Sequence, residues 1–211
     1  MDVPVNADVL CADGPCGRST YVIVNPTTWE VTHLVVKEKA FPYVERLVSL
    51  REVSETGHRV VHLKSTRDKL GAMDRFIEIE FLPGAGPYSS YEATEYMMWA
   101  HVLPSGTVPL EHERIPPHEL AVRQGARVEA TDGHVGLVDE FLVDPTNGHI
   151  THLVLREGHL WSKKDVTIPI SQIDHIEEDT VYLRLDKHSI EVLPAIPVRR
   201  CSREDFNAIE K

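Results

Sequence analysis

Histidine is the residue type in this chain that most directly suggests chemistry, because imidazole binds metal ions and transfers protons near neutral pH. The chain has 12 histidines, and His149, His152 and His159 lie close together in the sequence. His149 and His152 are three residues apart, so on a strand their side chains point to opposite faces and do not readily share one ion. We therefore predict structural hydrogen bonds for these histidines and no metal site.

The sequence contains none of the short motifs that are typical of common catalytic or nucleotide-binding sites. It has no Gly-rich phosphate loop, dinucleotide fingerprint, nucleophile elbow or paired-histidine metalloprotease motif. Glu111, His112, Glu113 and His118 form a loop cluster that could bind a metal ion only weakly. Ser, His and Asp are frequent enough to leave a triad open, but no spacing indicates one. We predict that the protein is not an enzyme and uses no cofactor.

Aromatic and basic residues are concentrated in three stretches, which are candidates for binding another protein because aromatic residues and Arg dominate interface anchors. The candidate partner-binding residues are Tyr91, Trp99, Trp161, Lys163, Lys164, Arg199 and Arg200. Three alternatives stay open. The first stretch can pack as connector core, the tryptophan at 161 can cover the end of a barrel, and the arginines can be ordinary solvated charges.

The elements that must position these residues occur twice in the chain. Through the third strand of the first copy, matching residues lie 119 positions apart, as Asp13 and Asp132 or His33 and His152 do, and beyond it they lie 120 apart, as Leu70 and Ile190 do. The matching segments are Asp13-Gly14 with Asp132-Gly133, Asn25-Pro26-Thr27 with Asp144-Pro145-Thr146, and Thr32-His33-Leu34-Val35 with Thr151-His152-Leu153-Val154. The protein is therefore predicted to be a duplicated β unit.

Each copy is predicted to be a series of short strands followed by a short helix. Asp-Gly and Asn-Pro-Thr are turn signals, and β-branched runs such as 21–24 are typical of strands. Short helices are predicted over 66–73 and 187–193. Because closure removes exposed edges, many short strands in a small unit predict a closed or half-closed barrel. Pro169 predicts an edge strand, because proline cannot donate a ladder hydrogen bond.

The fold class is therefore predicted to be all-β, with two tandem small β-barrels that are each followed by a short helix. Composition divides the chain into four parts. We predict a first barrel-like domain over 1–82, an aromatic and proline-rich connector over 83–122, a second barrel-like domain over 123–196, and a tail over 197–211 that can form a short helix.

The overall charge restricts the class of partner. The chain has 33 acidic and 22 basic residues, which gives a formal net charge of −11. A surface of this charge repels phosphate backbones, so general nucleic-acid binding is disfavoured. No apolar run approaches the roughly 20 residues that a transmembrane helix needs, and the first residues do not form a secretory signal. We expect no membrane span.

The cysteines bear on location and on metal binding. Three cysteines are a small, odd number that is typical of a reducing compartment, which predicts the cytoplasm. Cys11 and Cys16 correspond to Ala130 and Val135 in the second copy, which favours two buried cysteines that act as small hydrophobes. The alternative, a zinc site, would need a second Cys or His pair at a suitable spacing.

Several segments of the second copy carry a family resemblance. They are Gly125-Ala126-Arg127-Val128, Asp132-Gly133-His134-Val135-Gly136, Val143-Asp144-Pro145, residues 150–155, and Val166-Thr167-Ile168-Pro169. In their order and spacing these segments resemble a PRC-barrel domain, a small β-barrel named for a photosynthetic reaction-centre subunit. Residues 6–82 resemble a diverged copy, in which Ser49 stands in place of Pro169.

The resemblance implies a role in binding more than a role in catalysis. Family members mostly act as non-catalytic adaptors. One branch is the cytoplasmic domain of the reaction-centre H subunit, and another is the C-terminal domain of a ribosome-maturation factor that binds a small-subunit ribosomal protein. This chain departs from both, because it has no predicted membrane helix and its first half resembles a second barrel.

We therefore expect a non-catalytic adaptor or scaffold that binds another protein through its barrel surfaces, with a second copy of the chain, as a homodimer, among the candidate partners. Two alternatives stay open. One is a metal- or ligand-responsive module that uses the His-rich second half, and the other is a ribosome-assembly-type factor. If histidines lie between the barrels, association should weaken at mildly acidic pH, where imidazoles become charged.

Overall fold

The computed structural model describes residues 2–57, 59–83, 107–157, 166–177 and 179–193. The described chain is mostly β, which confirms the all-β prediction. The strands are β1 Asp2–Pro4, β2 Asp8–Cys11, β3 Gly14–Asn25, β4 Glu30–Glu38, β5 Glu45–Ser49, β6 Val53–Gly57, β7 Val60–Leu63, β8 Ile77–Pro83, β9 Thr107–Glu113, β10 Leu120–Arg123, β11 Arg127–Ala130, β12 Gly133–Val143, β13 Ile150–Glu157, β14 Val166–Pro169, β15 Ile173–Glu177 and β16 Thr180–Leu183. The helices are α1 Arg67–Gly71 and α2 Lys187–Glu191.

The duplication seen in the sequence is also present in the topology. The first sheet has the strand order β5-β4-β3-β2-β7-β6, and the second has the equivalent order β14-β13-β12-β11-β16-β15. Each sheet contains one parallel pair, β2 with β7 and β11 with β16, among antiparallel neighbours. The two copies therefore build the same sheet, and each sheet is followed by its predicted short helix.

The two sheets exchange one strand each. β1, at the start of the first copy, pairs with β12 of the second sheet, where Val3 lies opposite Phe141. β10, which precedes the second copy, pairs with β3 of the first sheet, where Val122 lies opposite Val22. Val3 and Val122 are fully buried, and burying a valine side chain contributes about 1.5–3 kcal/mol. Each copy thus completes the other's sheet.

Of the closed or half-closed barrels that were predicted, the closed form is wrong for the described residues, because each sheet stays open. No ladder joins the first and last strands of either strand order. A 3-10 turn at Leu50–Glu52 separates β5 from β6, and one at Ile170–Gln172 separates β14 from β15. The longest strand of each sheet, β3 or β12, also pairs with the exchanged strand along the second half of one of its edges. The prediction of an edge strand from Pro169 is confirmed, since β14 ends the second sheet.

A pseudo-two-fold axis passes between the two copies at one pair of equivalent turns. The Val31 N–H donates to the Gly148 carbonyl at 3.0 Å, and the equivalent Ile150 N–H donates to the Trp29 carbonyl at 2.7 Å. Glu30, which lies between the bonded residues of the first turn, is bridged to its own counterpart His149. Buried residues of both copies form one hydrophobic cluster. The copies therefore share a core as well as strands.

Each Asp-Gly turn is tied to the helix of its own copy. Gly14 and Gly133 have φ values of +123° and +118°, a region that glycine adopts without steric cost. The Arg67 N–H donates to the Asp13 carboxylate at 2.9 Å, and the Lys187 N–H donates to Asp132 at 3.0 Å. The aspartates thus satisfy N–H groups that have no acceptor within a short helix.

The interpretation of Cys11 and Cys16 as free hydrophobic thiols is wrong. Both residues are buried as predicted, but they form a disulfide across the β2–β3 hairpin with a Cα–Cα distance of 5.7 Å. A register shift beside Val9 and Leu10 accompanies this pairing. Because two of the three cysteines are bonded, the cysteine count no longer argues for a reducing compartment.

Residues 77–114 form a separate unit that contains a two-stranded antiparallel ribbon. β8 pairs with β9 along seven positions, so that Pro83 lies opposite Thr107. The connector 84–106 therefore leaves and re-enters the described chain at one end of the ribbon. Within the described part of the chain, β8 pairs with β9 alone. Among the described helices, neither is long and apolar enough to cross a membrane.

Candidate functional site

The predicted partner-binding residues lie outside the described ranges. They are Tyr91, Trp99, Trp161, Lys163, Lys164, Arg199 and Arg200. The structure therefore leaves each of them as a prediction. The loop that contains Trp161 connects β13 to β14, however, and its counterpart in the first copy is the described loop between β4 and β5.

That counterpart loop, residues 39–44, presents two large aromatic side chains to solvent. Phe41 is 85% exposed and Tyr43 is 55% exposed. Their rings contact each other edge to face, with centroids 5.9 Å apart. We call this segment the aromatic loop. Sequence analysis missed it, although its position between the same two strands as the Trp161 loop was a usable signal.

Backbone hydrogen bonds hold the aromatic loop in a defined conformation. The Tyr43 N–H donates to the Ala40 carbonyl at 2.8 Å, and the Glu38 N–H donates to the Val44 carbonyl at 2.9 Å. The Lys39 N–H donates to the Cys16 carbonyl at 2.8 Å, which fastens the loop to the disulfide hairpin. The exposure of the two rings is therefore a property of a structured loop.

A groove of about 610 Å³ lies beside the aromatic loop on the first sheet. Its lining includes Leu10, Pro15, Lys37, Lys39 and Tyr43. Lys37 and Lys39 are exposed, and neither makes an ion pair with a described residue. The lining also includes the carboxylates of Asp8 and Glu38, which form ion pairs with Arg18 and Arg46. The two lysines therefore add positive charge beside apolar surface, on a chain whose net charge is −11.

The repeated histidine makes the same local hydrogen bond in both copies. His33 Nδ1 lies 3.0 Å from the Thr32 hydroxyl, and His152 Nδ1 lies 3.1 Å from the Thr151 hydroxyl. This agrees with the predicted structural role. No group of three or more His, Cys, Asp or Glu side chains that could hold a metal ion occurs among the described residues. His159 lies outside them.

A half-open cleft of about 770 Å³ lies between the copies, beside the pseudo-two-fold axis. One wall is the 144–148 turn of the second copy, and the other includes Ser49, Leu50 and Arg51 of the first. His33 contributes to the lining. Sequence analysis did not predict this cleft, because it exists only through contact between residues far apart in the chain.

Thr32, His33 and Glu119 form a hydrogen-bonded group in the cleft. The Thr32 hydroxyl donates to the Glu119 carboxylate at 2.6 Å, so the adjacent His33 Nδ1 is placed to donate to that hydroxyl. His33 therefore does not act as the base for this hydroxyl. Burial lowers the pKa of His33 below its ordinary value of 6.5, and the Glu119 charge opposes this shift.

Hydrogen bonds within one turn of the cleft stabilise the ionised form of its aspartate, Asp144. The Thr146 hydroxyl and N–H both donate to the Asp144 carboxylate, at 2.6 Å and 2.8 Å. These hydrogen bonds lower the pKa of Asp144, with the hydroxyl bond the larger cause. The carboxylate is thus occupied within its own turn, as the Asn-Pro-Thr and Asp-Pro-Thr turn chemistry predicts.

The second sheet has a shallow polar pocket of about 610 Å³ with its own aromatic–histidine pair. The ring of His175 stacks on Tyr182 with centroids 4.5 Å apart, and its Nδ1 lies 2.9 Å from Asp174. Arg184 also contacts Asp174, at 3.1 Å. These neighbours hold the imidazole at the surface, and they satisfy one another without a bound ligand.

Comparison with known proteins identifies the second copy. The family model for the PRC-barrel domain matches residues 124–189, which run from the turn before β11 into α2. No curated protein matches the chain. The match confirms the resemblance deduced from the Asp-Gly and Asp-Pro motifs and from Pro169. The chain therefore contains a PRC-barrel domain at residues 124–189.

Proposed function

We propose that this protein is a non-catalytic adaptor that binds another protein through the aromatic loop and its adjacent groove. The observation that carries the proposal is the 85% exposure of Phe41 in a hydrogen-bonded loop. Exposed apolar groups on a structured surface mark interaction sites, and aromatic anchors dominate binding energy at protein interfaces.

The chemistry of the groove defines the class of partner. Lys37 and Lys39 favour a segment that carries carboxylates, while Phe41, Tyr43 and Leu10 favour apolar side chains beside them. An acidic and apolar protein segment satisfies both requirements. Residues 6–82, which build the same sheet as the PRC-barrel domain, are proposed to be a diverged copy of it.

The aromatic loop is tested by paired substitutions in affinity capture from a native lysate. We expect the wild-type chain to retain a stoichiometric protein partner and the double variant Phe41→Ser, Tyr43→Ser to lose it, because the apolar anchors are removed. Val192→Ser is the matched control, since Val192 is also a large exposed hydrophobic residue, at 71%, but lies after α2.

The adaptor proposal has two contradicting results. One is retention of the same partner by the Phe41→Ser, Tyr43→Ser variant at wild-type stoichiometry. The other is the absence of any stoichiometric partner together with turnover of a compound from a metabolite library by the pure chain. Circular dichroism of the double variant confirms that it is folded before either result is interpreted.

A further inference from the structure

The turn that lines the cleft differs at one position from the equivalent turn of the first copy. Gly148 lines the cleft, and its counterpart in the first copy is Trp29. The two positions have similar backbone geometry, with φ values of +77° and +56°. Trp29 packs its side chain against the hydrophobic core, whereas Gly148 leaves its side of the turn open.

A side chain at position 148 would project into the cleft. A Cβ atom on Gly148 would lie 3.6 Å from Leu50 Cδ2, which is itself part of the lining. Its other near neighbour is the Val31 carbonyl oxygen at 3.5 Å, an ordinary contact. The glycine therefore keeps space open that the residue type of the first copy would fill.

The acidic side chains of the cleft already have donors within the protein. Glu119 accepts from Thr32, Asp144 accepts from Thr146, and Glu30 accepts from the Thr28 hydroxyl at 3.1 Å. The cations are less fully engaged. Arg51 makes no ion pair with any residue that the structure describes, and the Lys64 ammonium lies 2.8 Å from the Arg51 carbonyl oxygen.

We propose that the cleft binds a small organic anion, with a carboxylate or phosphate group held by Arg51 and Lys64 and an apolar portion held against Leu50 and Pro145. Cavities of this volume suit small ligands, and guanidinium groups bind carboxylate and phosphate oxygens in pairs of hydrogen bonds. The site is independent of the aromatic loop.

Binding is tested on the full chain with three aromatic probes: benzoate, phenyl phosphate and the neutral benzyl alcohol. Ligand-observed NMR at millimolar concentrations should detect benzoate, phenyl phosphate or both, and not benzyl alcohol. The two anions distinguish carboxylate from phosphate as the preferred group. Arg51→Ser, which introduces the residue found at the equivalent Ser171, should weaken anion binding about tenfold through the lost charge-assisted hydrogen bonds.

Two substitutions at Gly148 separate filling of the cleft from backbone strain. Gly148→Trp introduces the residue of the first copy and should abolish binding. Gly148→Ala places a side chain at the same positive φ without filling the space, so it should bind the anion as the wild type does. Failure of both anions to bind would overturn the proposal, as would equal binding by benzyl alcohol or unchanged binding in Gly148→Trp or Arg51→Ser.

Discussion

The two copies are alike where they determine the fold and different where they meet solvent or each other. Both have an aspartate in the Asp-Gly turn that accepts from the first N–H of the helix, and both have a Thr–His hydrogen bond on the third strand of the copy. These contacts are local and occur at equivalent positions. They hold each copy in the same topology.

The differences lie at a few positions with clear consequences. The first copy has a disulfide at Cys11 and Cys16, whereas the second has Ala130 and Val135. The first copy has Trp29, packed against the core, at the turn where the second has Gly148, which lines the cleft. Divergence after duplication therefore changed the surface and the interface while the strand order stayed fixed.

The exchanged strands provide the strongest test of how far the copies depend on each other. Val3→Asp and Val122→Asp each place a charge at a fully buried position, so each should lower the free energy of unfolding by about 3 kcal/mol or more. Urea denaturation measures the loss. Val192→Asp, at an exposed position, should be nearly neutral.

The location of the damage is more informative than its size. Val3 belongs to the first copy in sequence but lies in the second sheet. Amide hydrogen exchange in Val3→Asp should therefore increase first at Phe141 and Leu142. An increase in hydrogen exchange that is confined to Val22 and Val24 of the first sheet would contradict the pairing of β1 with the second sheet.

Replacing the cysteines by the residues of the second copy tests the next difference. The double variant Cys11→Ala, Cys16→Val should lose about 2 kcal/mol under non-reducing conditions, because a disulfide that closes a short loop restricts the unfolded chain by about this amount. Adding reductant should destabilise the wild type equally and leave the variant unchanged. Three free thiols in denatured, unreduced wild type, in place of the single Cys201, would contradict the disulfide.

The smallest expected effect concerns His33 in the cleft. Burial lowers the pKa of His33 in the folded chain below 6.5, so the unfolded chain binds the proton more readily. Stability should therefore fall as the pH drops below 6.5 and should level off beneath the folded-state pKa. His33→Gln should remove this part of the pH dependence of urea unfolding.

Glu119→Gln provides the companion measurement for His33. The Glu119 carboxylate opposes the lowering of the His33 pKa, so removing its charge should lower that pKa further and enlarge the loss of stability at acidic pH. A smaller loss in Glu119→Gln than in the wild type would show that burial does not dominate at His33.

Local features of the fold were predictable from the sequence because they depend on residues close together in the chain. The Asp-Gly turns require a positive φ that Gly14 and Gly133 supply. The helices begin where Thr66 and Asp186 accept N–H groups three residues later. Pro169 excluded an interior strand. Comparing the copies with each other was enough to identify these elements.

The exchange of strands was not predictable, because it is a choice between equivalent partners. Val3 and Val122 lie in short apolar segments of the same pattern, and either long strand offers the edge that either segment needs. The path of the chain between the copies decides which segment pairs with which long strand. The closed barrels were predicted wrongly for the same reason, since the use of an edge is a non-local property.

The candidate sites were predictable only in part. Trp161 predicts a binding loop between the third and fourth strands of the second copy, whereas the described counterpart at Phe41 and Tyr43 has no tryptophan to mark it. The cleft depends on Gly148 facing Leu50 across the axis. No sequence pattern places those two residues together.

The reciprocal strand exchange is tested most directly by NOE measurements on the full chain at low concentration. The side chains of directly opposed residues on paired strands lie about 5 Å apart at Cβ, well within range. We predict NOEs from the Val3 methyl groups to the Phe141 ring and from Val122 to Val22. NOEs from Val3 to Val22 and from Val122 to Phe141 would contradict the exchange and with it the shared architecture of the two copies.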